Sequence, residues 1–313
     1  MTDLTAPKLI DAARTGASLD FKRLIPALRA AFIAGATAPL RHRHDLPEGA
    51  LLLMPAWRGS AALGVKIVSV FPGNGTRGLN AVFSTYLLCD GATGRPLALI
   101  DGNEITARRT AAASALAGSY LARAQAARLL VVGAGHVAGM LPDAWAAVRP
   151  IREVAVWNRR PEGAQALAAR LRAAGHDARA VTDLEAAVRA ADITSCATLA
   201  TAPLVRGEWL APGAHLDLIG GFTPAMREAD DAAIRAARVF IDTEAALREA
   251  GDITQPIAAG VLGPAEIAGD LAGLCRNEIP GRRSAGEITL FKSVGSALED
   301  LAAASLVYGD AAD

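Results

Sequence analysis

The arrangement with the most specific chemistry lies at residues 128–139. Arg128-Leu129-Leu130-Val131-Val132 is a short aliphatic run. It leads at once into Gly133-Ala134-Gly135-His136-Val137-Ala138-Gly139, and a helical pattern follows. Strand, G-x-G-x-x-A and helix, in that order, make a phosphate cradle. Gly133 permits the tight turn, Gly135 lets the backbone approach a pyrophosphate, and Ala138 replaces the third glycine as a small residue where helix meets strand. The helix start then offers N–H groups and the positive end of its dipole to phosphate. The pattern predicts a dinucleotide held by Gly133, Ala134, Gly135, His136 and Val137. Glycines in an ordinary strand-to-helix turn are the plainer alternative.

The next strand bears on which dinucleotide is bound. Glu153-Val154-Ala155-Val156-Trp157 ends in Asn158-Arg159-Arg160. An NAD site places an acid here to accept from the ribose 2′-hydroxyl. An asparagine followed by two guanidinium groups instead suits a 2′-phosphate, through charge and paired donors. NADP(H) is therefore predicted, with NAD(H) possible at lower preference, and Asn158, Arg159 and Arg160 are assigned to it. A solvated arginine pair before Pro161 is the other explanation. Thr198, just after Cys196-Ala197 at a later strand end, falls where such domains touch the cofactor.

These residues need a parallel sheet to position them. Strands expected at 128–132, 152–157, 177–181, 192–196, 214–219 and 238–242 alternate with helical stretches, the pattern of a doubly wound α/β sheet. The first third differs. A helix is expected over 19–35, with Phe21, Leu24, Ile25, Leu28, Ala31 and Phe32 on one side. Strands at 51–54, 64–70, 81–89 and 97–101 are broken by turn residues at 71–75 and 90–94, which predicts an antiparallel sheet in an α+β domain. A helix from Thr110 to about 124 carries the chain onward, and 292–308 reads as a helix returning to the first domain. The expected division is 1–115 with 292–313, and 116–291.

The bulk composition agrees and excludes other classes. A chain of 313 residues fits two domains, at roughly 100–200 residues each. Hydrophobic residues are 52% but aromatics only 4%, so Ala, Leu and Val dominate, as in helices packed on aliphatic strands. Lys plus Arg equals Asp plus Glu at 32 each, which gives no overall attraction for nucleic acid or an anionic membrane. Cys89, Cys196 and Cys275 are odd in number and widely spaced, against a disulfide framework or zinc site and in keeping with a reducing cytosol. No run reaches about 18 apolar residues, and the N-terminus lacks a basic region before an apolar core, so neither a membrane span nor a signal peptide is expected. His42 and His44 lack a metal-ligand set, so no metal is predicted. His215, Asp217 and Asp242 have structural readings preferred.

Four segments together resemble the ornithine cyclodeaminase/μ-crystallin family over nearly the whole chain. They are Leu53-Met54-Pro55-Ala56 with Gly64-Val65-Lys66; Thr106-Ala107-Arg108-Arg109-Thr110-Ala111-Ala112; the glycine loop; and Ser293-Val294-Gly295-Ser296-Ala297-Leu298-Glu299-Asp300. The resemblance implies an N-terminal substrate and dimerisation domain, a Rossmann domain and a homodimer. Members include ornithine cyclodeaminase, alanine dehydrogenase and reductases of cyclic imino acids. It also implies substrate binding by Lys66, Arg109 and Arg41, with Arg43 as a competing register for Arg41. Desolvation lowers a lysine's pKa so that it exchanges a proton near neutrality, which fits Lys66 as the catalytic residue. Arginines stay charged and grip a planar carboxylate. A wet-face lysine, and arginines that merely satisfy carbonyls, remain the alternatives. Ser293 is assigned to the cofactor; for Lys292 a place near the nicotinamide and a surface helix start both stay open.

The departures from the family narrow the activity. A Gly-Gly-Asp-x-Pro segment supplies the cyclodeaminase's catalytic aspartate, but here the run is Gly220-Gly221-Phe222-Thr223-Pro224. The cyclodeaminase's glutamate shortly before Met-Pro is also missing from Leu52-Leu53-Met54-Pro55. The Phe222 version, Phe-Thr-Pro-x-Met-Arg-Glu, resembles members that reduce Δ1-pyrroline-2-carboxylate to L-proline and Δ1-piperideine-2-carboxylate to L-pipecolate. Phe222 is then an apolar wall at the cofactor. An alanine-type dehydrogenase and a non-catalytic NADPH-dependent binding protein are the alternatives; retention of Lys66, Arg41 and Arg109 speaks against the second.

Overall fold

The computed structural model describes residues 6–312. The first five residues, part of the N-terminal segment expected to hold no signal peptide, and Asp313 lie outside the described residues. The chain forms two compact units, Met1–Arg109 with Ser296–Asp313, and Thr110–Gly295. The first junction lies a little before the expected 115/116, and the second a little after 291/292.

The first unit is built on a six-stranded sheet in the order β1-β6-β5-β4-β3-β2. Its strands are β1 (Lys8–Ile10), β2 (His42–Leu46), β3 (Gly49–Arg58), β4 (Ala62–Val70), β5 (Val82–Cys89) and β6 (Pro96–Asp101). Strands β2 to β6 run antiparallel to their neighbours, and β1 joins β6 in parallel. Side chains alternate between faces, as the period of two requires. Leu52, Met54, Ala56, Val68, Tyr86, Leu88, Ala98 and Ile100 are buried. On the other face Leu51, Leu53 and Val65 are half-buried, and Ile67 and Phe83 are exposed. Helices α1 (Ala12–Ser18) and α2 (Phe21–Ala34) precede the sheet, and the C-terminal helix α11 (Ala297–Ala312) packs on β3, β4, β5 and α2. Strand β2 has no counterpart among the expected elements. Its residues His42-Arg43-His44-Asp45-Leu46 are all exposed, so this edge strand has no buried stripe to betray it.

The second unit holds seven parallel strands in the order β12-β13-β11-β10-β7-β8-β9. They are β7 (Arg128–Val132), β8 (Glu153–Trp157), β9 (Ala178–Ala180), β10 (Ile193–Cys196), β11 (His215–Leu218), β12 (Arg238–Ile241) and β13 (Thr289–Lys292). The helices are α3 (Gly102–Leu121), whose first turns belong to the first unit, α4 (His136–Ala146), α5 (Pro161–Ala173), α6 (Leu184–Ala190), α7 (Asp231–Ala236), α8 (Ala246–Glu249), α9 (Gly251–Ala258) and α10 (Leu271–Cys275). The chain starts at β7, moves outward through β8 and β9, and returns to the far side of β7 as β10. That reversal creates a crevice beyond the carboxyl ends of β7 and β10, where ligands of such sheets bind. This is a Rossmann-type doubly wound sheet.

Two expected elements are corrected. The segment 292–308 is not one helix: Thr289–Lys292 is a fully buried strand between β11 and β12, and α11 begins only at Ala297. Gly295, with φ 79°, breaks the chain between them. The helix expected from Thr110 starts at Gly102, because the Asp101 carboxylate accepts from the Glu104 backbone N–H at 2.8 Å and caps the first turn. The three cysteines are buried and in no disulfide among the described residues. Among the described residues no helix is long and apolar enough to cross a membrane.

Candidate active site

Strand register builds the cluster in the first unit. Met54, Lys66, Tyr86 and Ile100 lie side by side on β3, β4, β5 and β6, and so share the buried face. His42 pairs with Leu53, so Arg41 comes into line with Met54 and extends this row. Lys66 is therefore a core-facing lysine, with only 2% of its side chain accessible. Its Nζ donates to Asp300 at 2.8 Å, and Asp300 stands in the first turn of α11. Arg109 donates from Nε to the same Asp300 carboxylate and from Nη1 to Glu299, each at 2.9 Å. Neither bond uses Nη2.

The electrostatics follow from burial. Desolvation pushes Lys66 down to about 8; Asp300 pulls against that shift, while Arg109 and Arg41 add to it. Burial would raise the Asp300 carboxyl, but Lys66 and Arg109 outweigh it and hold Asp300 below the usual carboxylate range. Three cations, Lys66, Arg109 and Arg41, thus face two carboxylates, Glu299 and Asp300. Two buried cations, Lys66 and Arg109, in one cluster suit an anionic ligand.

Arg41 is half-buried and close enough to influence Lys66, whereas Arg43 is exposed and bonded to Asp45 at 2.8 Å. The geometry favours Arg41 over Arg43. His42 and His44 are exposed and out of step with Arg41 along β2. Arg109 differs from expectation, since two of its nitrogens serve Glu299 and Asp300. Those two acids had been seen only as part of a family segment. Adjacent acids opening a largely apolar helix were the available signal, because buried acids need cations beside them.

The second unit holds the glycine turn between β7 and α4. Gly133 has φ 117°, and a Cβ there would lie 2.6 Å from the Ala197 carbonyl oxygen, so only glycine fits. Gly135 forms the N-cap of α4 with extended backbone and no side-chain cap, and no atom lies within 4 Å of where its Cβ would be. A glycine turn, open space and an uncapped helix start fit a pyrophosphate. Ala134 and Val137 are half-buried in this turn, and His136 is exposed. Asn158 donates to the Arg160 carbonyl at 2.9 Å and braces the next loop, leaving Arg159 and Arg160 exposed.

Other expected residues lie along the same sheet. Thr198 follows β10 and donates from N and Oγ1 to Glu228 Oε1 at 2.8 and 2.7 Å. Phe222 follows β11 and packs on the core as a half-buried ring. Ser293 is buried and donates to Asp242 at 2.9 Å, and Asp242 also accepts from the Val294 and Gly295 N–H groups. Lys292 is fully buried, 2.9 Å from Asp252, and not at a surface helix start. Asp217 accepts from Ser114 and Ser195, and burial raises it to about 6. His215 bonds Thr289 at 2.9 Å, and burial lowers it to about 3. Asp217, Asp242 and His215 therefore act inside the core.

The chain belongs to the ornithine cyclodeaminase/mu-crystallin family, whose model matches residues 9–313. It is 40% identical to the Delta(1)-pyrroline-2-carboxylate reductase of Paracoccus denitrificans over 97% of this chain and 96% of that protein. The solved Thermococcus litoralis Delta(1)-pyrroline-2-carboxylate reductase in complex with NADH and L-proline superimposes with a TM-score of 0.94, at 35% identity over 97% of each chain. An archaeal alanine dehydrogenase dimer with bound NAD gives a TM-score of 0.92 at 29% identity, over 98% of this chain and 96% of that one.

The Lys66 pair makes a direct prediction. The negative charge of Asp300 helps hold the proton on Lys66, so Asp300→Asn should move the Lys66 titration below its midpoint of about 8. NMR of labelled lysine, with circular dichroism to verify folding, would measure it. A midpoint that stays put or rises contradicts the assigned pairing.

Proposed function

We propose that this chain reduces cyclic imino acids, Δ1-pyrroline-2-carboxylate to L-proline and Δ1-piperideine-2-carboxylate to L-pipecolate, with NADPH preferred and NADH second. It is an NAD(P)H-dependent oxidoreductase acting on C=N bonds. The observation that carries the substrate assignment is a buried lysine, held near 8 by burial, that shares the Asp300 carboxylate with the buried Arg109. The likeness to Delta(1)-pyrroline-2-carboxylate reductases supports the same choice.

The bound dinucleotide supplies a hydride to the imine carbon. Arg41 and the Nη2 edge of Arg109 grip the substrate carboxylate. Lys66 Nζ gives its proton to the ring nitrogen as the C=N bond becomes single, so one hydride and one proton complete the amine. Asp300 fixes the ammonium and keeps it charged until transfer. The segment 133–137 holds the pyrophosphate, and Asn158 shapes the loop that presents Arg159 and Arg160 to a 2′-phosphate. Thr198 and Phe222 would hold the nicotinamide, and Ser293, through its bond to Asp242, would support that edge. Phe222 stands where the cyclodeaminase has its catalytic aspartate, so this loop position offers no carboxylate to process a leaving amine.

Two cofactor and substrate tests follow. Purified protein should turn over Δ1-pyrroline-2-carboxylate faster than pyruvate with ammonia, and Lys66→Met should lower kcat about 10²–10⁴-fold. The donor is the charged lysine, so wild-type kcat should fall as pH rises through about 8. Unchanged kcat in Lys66→Met removes Lys66 from the proton step. Replacing Arg159 and Arg160 together by Ala should reduce kcat/KM for NADPH about tenfold or more by loss of charge-assisted bonds, with little change for NADH. Equal losses with both cofactors refute the 2′-phosphate assignment.

A homodimer is part of the same proposal. The outward sheet face, with Leu51, Leu53, Val65, Ile67 and Phe83, offers a broad apolar surface. Ile67→Glu with Phe83→Glu should turn a dimer into a monomer in sedimentation equilibrium. A dimer that survives both changes assigns its interface elsewhere.

A further inference from the structure

One buried carboxylate, Glu228, joins two loops that leave neighbouring strands. Its Oε1 accepts from Thr198 N and Oγ1 after β10. Its Oε2 accepts from Gly220 N at 2.9 Å and Gly221 N at 3.4 Å after β11. The glycines make this approach possible: a Cβ on Gly220 would lie 2.0 Å from the Thr198 carbonyl oxygen and 2.5 Å from Glu228 Oε1. A carboxylate has enough lone pairs for all four donors. Behind it, Asp252 Oδ1 accepts from the Glu228 and Ala229 N–H groups at 2.8 and 3.1 Å, and Lys292 Nζ lies 2.9 Å from Asp252 and 3.9 Å from Glu228. All three side chains are fully buried.

We infer that Glu228 is a positioning residue for hydride transfer: it clamps the Thr198 and Gly220–Phe222 segments in one geometry, with Lys292 as the buried cation 3.9 Å from its carboxylate. The inference rests on the proposed reductase activity, which gives those segments the nicotinamide to face. A protonated or amide head would present a donor where four donors already point, and at least one bond to a loop would open. The charged and titratable groups around Glu228 are Lys292 on β13, Asp252 on α9, Asp217 on β11 and the Cys196 thiol on β10. Lys292 is the cation among them that favours the carboxylate form, against burial and the neighbouring acids, which raise Glu228 to about 7.

Hydrogen exchange at single amides, without substrate, tests the clamp. In the wild type the Thr198 and Gly220 amides should be protected. In folded Glu228→Gln they should exchange at least about tenfold faster while β7 and α4 keep their protection. With substrate, the same variant should lose about tenfold or more in kcat through misplacement, with KM for the dinucleotide little changed. Lys292→Met should reproduce the loss and shift the acid limb of the kcat profile to higher pH; Lys292→Arg should restore part of both. If Glu228→Gln does not fold, Lys292→Met provides the amide measurement. Unchanged Thr198 and Gly220 protection overturns the clamp, as does uniform loss across the sheet or an effect on KM alone. A wild type inactive on cyclic imines would refute the reductase assignment, and the amide data would still decide whether Glu228 ties the loops.

Discussion

A lysine removed from water costs several kcal/mol unless a partner and good geometry offset the loss. The Lys66–Asp300 pair meets that demand, and much of the first unit follows from it. Lys66 belongs to a strand near the start of the chain, whereas Asp300 lies 234 residues further on. The chain must pass through the whole second unit and return before the lysine has its counter-ion. Helix α11 is thus a structural cap over the sheet and the source of the carboxylate that makes the core lysine tolerable. Arg109 binds the same Asp300, so the C-terminal helix, the central strand and the start of α3 meet at one carboxylate.

The two units bury similar ingredients to different effect. In the first, Lys66 and Arg109 share Asp300, and Asp300 stays ionised while Lys66 is pushed toward neutrality. In the second, Lys292 lies beside Asp252 and Glu228 and acts on Asp217. Burial there raises Glu228 to about 7 and Asp217 to about 6. Buried acceptors suit backbone and hydroxyl donors, which is how Glu228 and Asp217 are engaged.

Patterns local in sequence were legible. The glycine turn is a contiguous string whose meaning depends on neighbouring strand and helix periods, and β7, its turn and α4 appear where those periods put them. Lys66 and Arg109 were found through family segments, but their pairing with α11 was not, because no local period records a contact across 234 residues. Strand β13 was hidden for a related reason. Thr289-Leu290-Phe291-Lys292 is too short to establish a period and ends in a lysine, which reads as surface until Asp252 is seen beside it. Arg41 and Arg43 could not be separated by spacing; β2 register and burial distinguished them.

Phe222 links the unit charges to the proposed reaction. The Phe222 ring gives its loop an apolar face and no proton donor at that position. The two preceding glycines still allow the Glu228 clamp, so the loop's geometry and its acid–base capacity are separable properties of the fold. Imine reduction needs only one proton beyond the hydride, and an acid whose pKa lies close to the working pH combines a useful charged fraction with a favourable transfer. Lys66, held near 8 by burial against the pull of Asp300, meets that condition. Loss of the loop acid is therefore compatible with a reaction whose proton comes from the strand lysine, and less compatible with one that must also activate and release an amine.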